Sequence, residues 1–204
     1  MAEDAWDAAV SDMLARVAGA CSPEETGARL AARACEMGEY MVKKVETSQG
    51  MEGTSDCEKG CGWCCHAQVP VSKPEAEWLR GWINENFSRA HRDDTLARIA
   101  RNRDLTEGRS LEERVAVWDQ TPCIFLHESV CRVYPVRPLV CRAWHALNRE
   151  QCRRAFLARE TGAEIDNTPF RNYILGVVRD ELARIMPWPG GGVLPLPEAM
   201  ACLI

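Results

Sequence analysis

The stretch CEKGCGWCC, residues 57–65, sets four cysteines (Cys57, Cys61, Cys64 and Cys65) in nine positions with few apolar side chains among them. Residues 122–142, PCIFLHESVCRVYPVRPLVCR, add Cys123, Cys131 and Cys141, and Cys152 follows eleven residues later. Cys61-Gly62-Trp63-Cys64 is a C-x-x-C step, whose tight turn brings two sulfurs towards one ion. Gly60 and Gly62 supply backbone freedom for such a turn. Neighbouring side chains diverge by ~100° in a helix and by nearly ~180° in a strand. Cys64 and Cys65 therefore do not both face one small ion together with Cys61. Either the pair serves two metals or one of them binds none.

The rest of the chain narrows what the thiols are for. With 46% hydrophobic and 27% charged residues, the 204-residue sequence reads as a folded chain rather than a disordered one. A net charge of −5 argues against nucleic acid or an anionic membrane as its partner. No run approaches eighteen apolar residues, so no membrane span is expected. The acidic start, MAEDAWDAAVSD, is unlike a signal peptide, and ACLI at the end is out of register for prenylation. These readings predict a cytoplasmic protein. Thiols are kept reduced there, so clustered cysteines point to metal ligation or redox chemistry rather than to structural disulfides. The total of 11 cysteines leaves at least one unpaired in any case.

Helix signals dominate the remainder. Asp4 and Asp7 can cap a first helix to about residue 19, and Ser22–Glu25 forms a capping box. The helix it opens runs to about Glu46, with Leu30, Ala34, Met37, Met41 and Val45 on one face. Residues 46–56 read as a polar linker into the cysteines. A second box, Ser72–Glu75, starts a helix to about Phe87, and residues 91–103 form an amphipathic helix with Leu96 and Ile99 inward. Ser110 and Glu113 cap a short helix ending near Trp118. Residues 123–134 lose the helical period and read as a small hairpin about His127-Glu128-Ser129, with Phe125 and Tyr134 packing it on the helices. Pro138 opens the helix that carries Cys141. Asn148, followed by Gln151, marks a fresh N-cap and a break near Leu147. An unbroken helix would hold Cys141 and Cys152 ~16 Å apart; a restart at an angle would let Cys152 swing back. Thr168-Pro169 begins a last long helix to about Ile185. The expected fold is mostly α, with helices around a cysteine-rich metal-binding knot and at most one small β-hairpin. Within one structural domain, residues 1–50 form an N-terminal helical segment, 51–160 the cysteine-cluster region, and 161–204 the C-terminal helix and tail.

Candidate neighbours of the sulfurs follow from charge. Cys131, Cys141 and Cys152 are each followed by arginine, and guanidinium groups lower thiol pKa values and offset the charge of a thiolate centre. Arg132, Arg142 and Arg137, the last just before Pro138, are the candidate supporting cations. His66, beside Cys65, is a candidate supporting donor, and His145 stands one turn beyond Cys141. Trp63, Trp118 and Trp144 are expected to pack around the site and exclude water. Cys21, Cys35 and Cys202 read as small apolar residues. The sequence shows no phosphate-binding loop, H-E-x-x-H or G-x-S-x-G motif.

The cysteine string followed by CIFL (Cys123–Leu126) and CRVYPVRPLVCR (Cys131–Arg142) resembles the C-x-x-C-x-x-C-C cysteine-cluster proteins of the YkgJ type, a zinc- or iron-chelating domain. The resemblance covers residues 57–142. It departs from the pattern in having three residues between Cys57 and Cys61 rather than two, and Cys152 lies beyond it. It implies metal chelation by Cys57, Cys61, Cys64, Cys65, Cys123, Cys131 and Cys141, and the helix restart at Asn148 adds Cys152 as a further candidate ligand. The flagellin lysine N-methylases carry a similar cluster, so the resemblance leaves an enzyme open. Three readings follow: a protein binding zinc or iron through the cluster, an iron–sulfur enzyme or redox protein, and a helical interaction module stapled by zinc. A metal ion is the expected partner, with room for a protein partner.

Overall fold

In the computed structural model the described residues are 8, 10–12, 14–16, 19, 26–58 and 60–204. The proposed caps at Asp4 and Asp7, the Ser22–Glu25 box and Cys21 lie outside them. The described residues between 8 and 19 are helical, with Val10 and Leu14 buried. Helix α1 spans Thr26–Gln49. Its inward stripe is Leu30, Ala31, Ala34, Cys35 and Val42. The expected Met37, Met41 and Val45 lie at the half-buried margin, so the buried face is rotated towards Cys35. Burial pushes the Cys35 thiol up to about 12, so this cysteine packs as a neutral hydrophobe.

Three serine caps set the next helices. Helix α2 (Lys73–Asn86) begins at the Ser72 capping box, α3 (Arg89–Thr106) at Ser88, and α4 (Leu111–Val115) at the Ser110 box. Leu96, expected inward, is 44% exposed. The stripe that turns inward on α3 is Thr95, Ile99 and Asn102, spaced i, i+4, i+7, and Leu96 falls off that line by one residue, ~100°. Two antiparallel strand pairs complete the described fold. Strands β2 (Leu126–His127) and β3 (Val130–Cys131) form the expected hairpin. Glu128 and Ser129 at its tip both have positive φ, 47° and 61°, as a two-residue turn between right-twisted strands requires. The other pair is non-local: β1 (Pro70–Val71) meets β4 (Leu194–Pro195), which clamps the C-terminal segment beside the first cysteine block. Phe125 is buried under the hairpin, but Tyr134 is 59% exposed and stacks under the Arg137 guanidinium, 4.0 Å away, rather than on a helix.

The helix opened by Pro138 is short. Helix α5 (Leu139–Ala143) ends where Trp144 turns extended, one turn before the expected break. Helix α6 (Arg149–Ala158) restarts at Asn148, whose side chain accepts from the Glu150 N–H. Helix α7 (Pro169–Ile185) and a last turn, α8 (Leu196–Ala201), follow. None of the described helices is long and apolar enough to cross a membrane.

The core has two parts. One gathers α2, α3, the hairpin and α8 around Leu79, Ile83, Phe125 and Met200; the other gathers α1 and α7 around Leu30, Leu175 and Leu182. Helix α5 wedges between them, with Leu139 and Ala143 in the second cluster and Cys141 against the first. Glu75 pins the wedge. Its Oε2 accepts from the Ser72 N–H and hydroxyl at 2.8 and 2.6 Å, and its Oε1 accepts from the Leu139 N–H at 2.8 Å. One buried carboxylate thus caps two helices, α2 and the helix carrying Cys141.

Burial holds the Glu75 carboxyl above the ordinary glutamate range despite those donors. Its folded form therefore keeps a proton more readily than its unfolded form. The stability it contributes is fullest below the unfolded value of ~4.3 and is lost as pH rises through the folded value. Glu75→Ala orphans three donors and should cost about 1–3 kcal/mol. In urea melts at about pH 5 and about pH 8, the natural chain should lose stability at the higher pH and the variant should lose less. A variant as stable as the natural chain at both would contradict this role.

Candidate metal centre

The first cysteine block is carried by loop and one 3₁₀ turn. Gly60 sits at φ +93°, a conformation that L side chains avoid. Gly62, at φ −111°, needs no such freedom. Trp63–His66 then forms the turn that presents Cys64 and Cys65. Its attachment to the second block is by backbone: the Cys123 N–H donates to the Cys65 carbonyl at 2.7 Å. The segment before it is stitched to the link between α5 and α6. The Asp56 N–H donates to the Ala146 carbonyl at 3.0 Å, the Arg149 N–H to the Asp56 carboxylate at 3.0 Å, and Arg149 also pairs with Glu58. Within this stitch the Ala146 N–H points at Cys57 Sγ, 3.3 Å away.

The result is two groups of sulfurs and the vicinal pair Cys64–Cys65. Cys123, Cys131 and Cys141 form an inner trio packed on the first core cluster and coupled electrostatically to one another. Cys57, Cys61 and Cys152 form an outer trio in the wall of a cavity of about 450 Å³. Cys64 lies between them and feels members of both trios. Its side chain hydrogen-bonds Cys65. The break after Ala143 is what carries Cys152 to the outer trio instead of leaving it stranded beyond Cys141. All the described cysteines are free thiols.

Electrostatics describe a place short of positive charge. Burial pushes Cys123 up to about 12 and Cys152 up to about 11, and raises Cys61, Cys131 and Cys141. Cys64 is raised first by its hydrogen bond with Cys65 and then by burial. Backbone N–H groups act in the opposite sense. Trp63 donates towards Cys61, Phe125 and Leu126 towards Cys123, and Val133 towards Cys131, each favouring thiolate. The donor set is all sulfur, borderline-soft, and aimed at by amide dipoles, which fits zinc or iron bound through thiolates. Among the described residues, no three cysteine, histidine, aspartate or glutamate side chains are already drawn close enough to hold an ion.

The supporting residues divide. Arg137 favours thiolate at Cys64 and Cys131. Arg132 instead donates to Asp94 at 2.9 Å, and Arg142 to the carbonyls of Arg137 and Pro135 while facing Glu39. Arg153 is spent on Glu150. His66 Nδ1 lies 2.8 Å from the Trp118 carbonyl, with its ring 4.5 Å from that of Phe156. It belongs to an aromatic stack and is not a member of either sulfur trio. Two residues that sequence reasoning left out matter here. Phe156 is the ring on which Trp63, His66 and Trp118 converge, and Ala146 contributes only its backbone, which leaves no trace in residue type.

No curated protein and no solved structure matches the chain. One family model matches residues 56–161, a span that takes in all eight cysteines of the two trios and the pair. That span is just over half of the chain, and the chain therefore belongs to the family described as "CxxCxxCC: Putative zinc- or iron-chelating domain".

Proposed function

We propose that this chain binds zinc or iron through Cys57, Cys61, Cys64, Cys65, Cys123, Cys131, Cys141 and Cys152, with Arg137 as the supporting cation. The observation that carries the reading is the set of backbone N–H groups already directed at Cys57, Cys61, Cys123 and Cys131. Such donors stabilise a charged sulfur and are of little use to a neutral thiol. The inner trio with one of the vicinal pair, and the outer trio with the other, make two four-sulfur sets. Closing either set draws together sulfurs that stand apart among the described residues. A metal would supply the positive charge that these thiols lack. Loading must displace protons from them, so affinity rises with pH. Structural zinc contributes ~10–16 kcal/mol in small peptides, comparable to or larger than a domain's net stability of ~5–15 kcal/mol. The loop from Met51 to Val69, with little core of its own, would be ordered chiefly by that binding.

A second reading, an iron–sulfur centre with chemistry of its own, is favoured by one feature. The outer trio opens on a cavity with room for a non-protein group, whereas a purely structural site takes all its ligands from the protein.

Protein purified without oxygen should carry stoichiometric zinc or iron, and a chelator should lower its melting temperature. Cys131→Ser should cut metal content several-fold, with Cys202→Ser, outside both trios, as the unaffected control. Brown colour with acid-labile sulfide would select the second reading. A metal-free protein whose melting is indifferent to chelator would sink both. Arg137 is tested separately on metal-stripped protein. Arg137→Met should slow iodoacetamide alkylation of Cys64 and Cys131 roughly two- to fivefold, the effect of a fractional pKa rise. Arg137→Lys should restore the rate, and Arg132→Met should leave it unchanged.

A further inference from the structure

The cavity beside the outer trio is larger than a metal needs. Its volume is about 450 Å³, whereas a water-sized body takes ~30 Å³ and small-molecule pockets run from ~300 Å³ upward. Cys57, Cys61, Cys64 and Cys152 are among its lining residues. The same lining carries the rings of Trp63, Trp118, Trp144 and Phe156 and small side chains, among them Ala155 and Ala163. Trp118 and Phe156 are already stacked on each other, 5.2 Å apart and 14° from parallel, so part of the aromatic lining is in place before anything enters.

The polar groups of the cavity lie together and are mostly uncharged. Asn172 donates to the Asn167 side-chain oxygen at 3.0 Å, and Asn167 donates to the Ile165 carbonyl at 2.9 Å. That pairing leaves the Asn172 oxygen and one N–H of each amide unspent among the described residues. His145 stands on the same lining, and burial, with Arg171 nearby, lowers its pKa and keeps it neutral. Glu160, the one carboxylate on the lining among the described residues, is exposed to solvent. An aromatic box with a neutral donor–acceptor edge selects a flat ring that bears a carboxamide or similar group, and it gives no counter-charge to an anion.

We infer that this cavity is a binding site for a neutral, planar aromatic molecule carrying an amide-like edge, held by the Trp–Phe wall and the Asn167–Asn172 pair in contact with the outer sulfur trio. The inference rests on the metal reading only for what the ligand meets at the sulfur end. The probes are indole-3-carboxamide, its anionic analogue indole-3-carboxylate and the cationic tryptamine, followed by saturation-transfer NMR on the protein as purified. The carboxamide should bind at least several-fold more tightly than either charged analogue. Ala163→Phe, which fills the box, and Asn172→Leu, which removes the polar edge, should each weaken it tenfold or more while metal content stays at the natural level. If Ala163→Phe does not fold, Asn172→Leu decides. Equal binding of all three probes, or carboxamide binding untouched by the variants that fold, overturns the inference. A metal-free protein that still takes up the carboxamide would sink the metal reading and leave this one standing.

Discussion

The hydrogen bond from the Ala146 N–H to Cys57 Sγ marks the contact on which the site depends. It exists because α5 stops at Ala143 and α6 restarts at Asn148. The freed backbone between them must find partners elsewhere. It finds them in two places: the Ala146 carbonyl accepts from Asp56, and the Leu147 N–H donates to Asp166. A loop with almost no core of its own is thereby held against the break between α5 and α6. The same lapse turns α6 so that Cys152 faces the first block. Had the helix run on, Cys152 would have stood ~16 Å along it from Cys141.

Charge is distributed so that the sulfurs receive little of it. Arg171, buried, is tied to Glu39 and Glu46 and donates to the Arg142 carbonyl, fastening α1 and α7 to the end of α5. Arg98 and Arg132 share Asp94 and fasten the hairpin to α3. These pairs hold the frame around the centre, and because their cations are spent on carboxylates they do not neutralise thiolate. What the thiols have is amide dipoles and Arg137. Dipoles orient and favour a charged sulfur without cancelling its charge, which is the condition under which a cation binds with most to gain.

Local chemistry carried much of the fold in plain view. The Ser72 and Ser110 boxes, the cap at Asn148, the hairpin about Glu128-Ser129 and the long helix after Thr168 are each set by a few neighbouring residues, and each forms where its residues are. Where expectation and structure differ, distance along the chain is the reason. Leu96 reads as inward by type, yet the docking angle of α3 puts Thr95 and Asn102 there instead. The pairing of Pro70–Val71 with Leu194–Pro195 joins segments too far apart for any local signal. Arg132 and Arg142 follow cysteines in sequence, but their long side chains reach carboxylates and carbonyls that only the packed fold brings near.

By itself the sequence determined a mostly helical chain with a thiol-rich segment unable to build its own core, because capping, helical period and residue type act within a few positions. Only the tertiary structure decided how the sulfurs are divided, which arginine's charge reaches them, and that a cavity opens on one group. Those depend on where a helix breaks and on backbone amides that are the same in every residue type, and such amides acquire a direction only when the chain has folded around them.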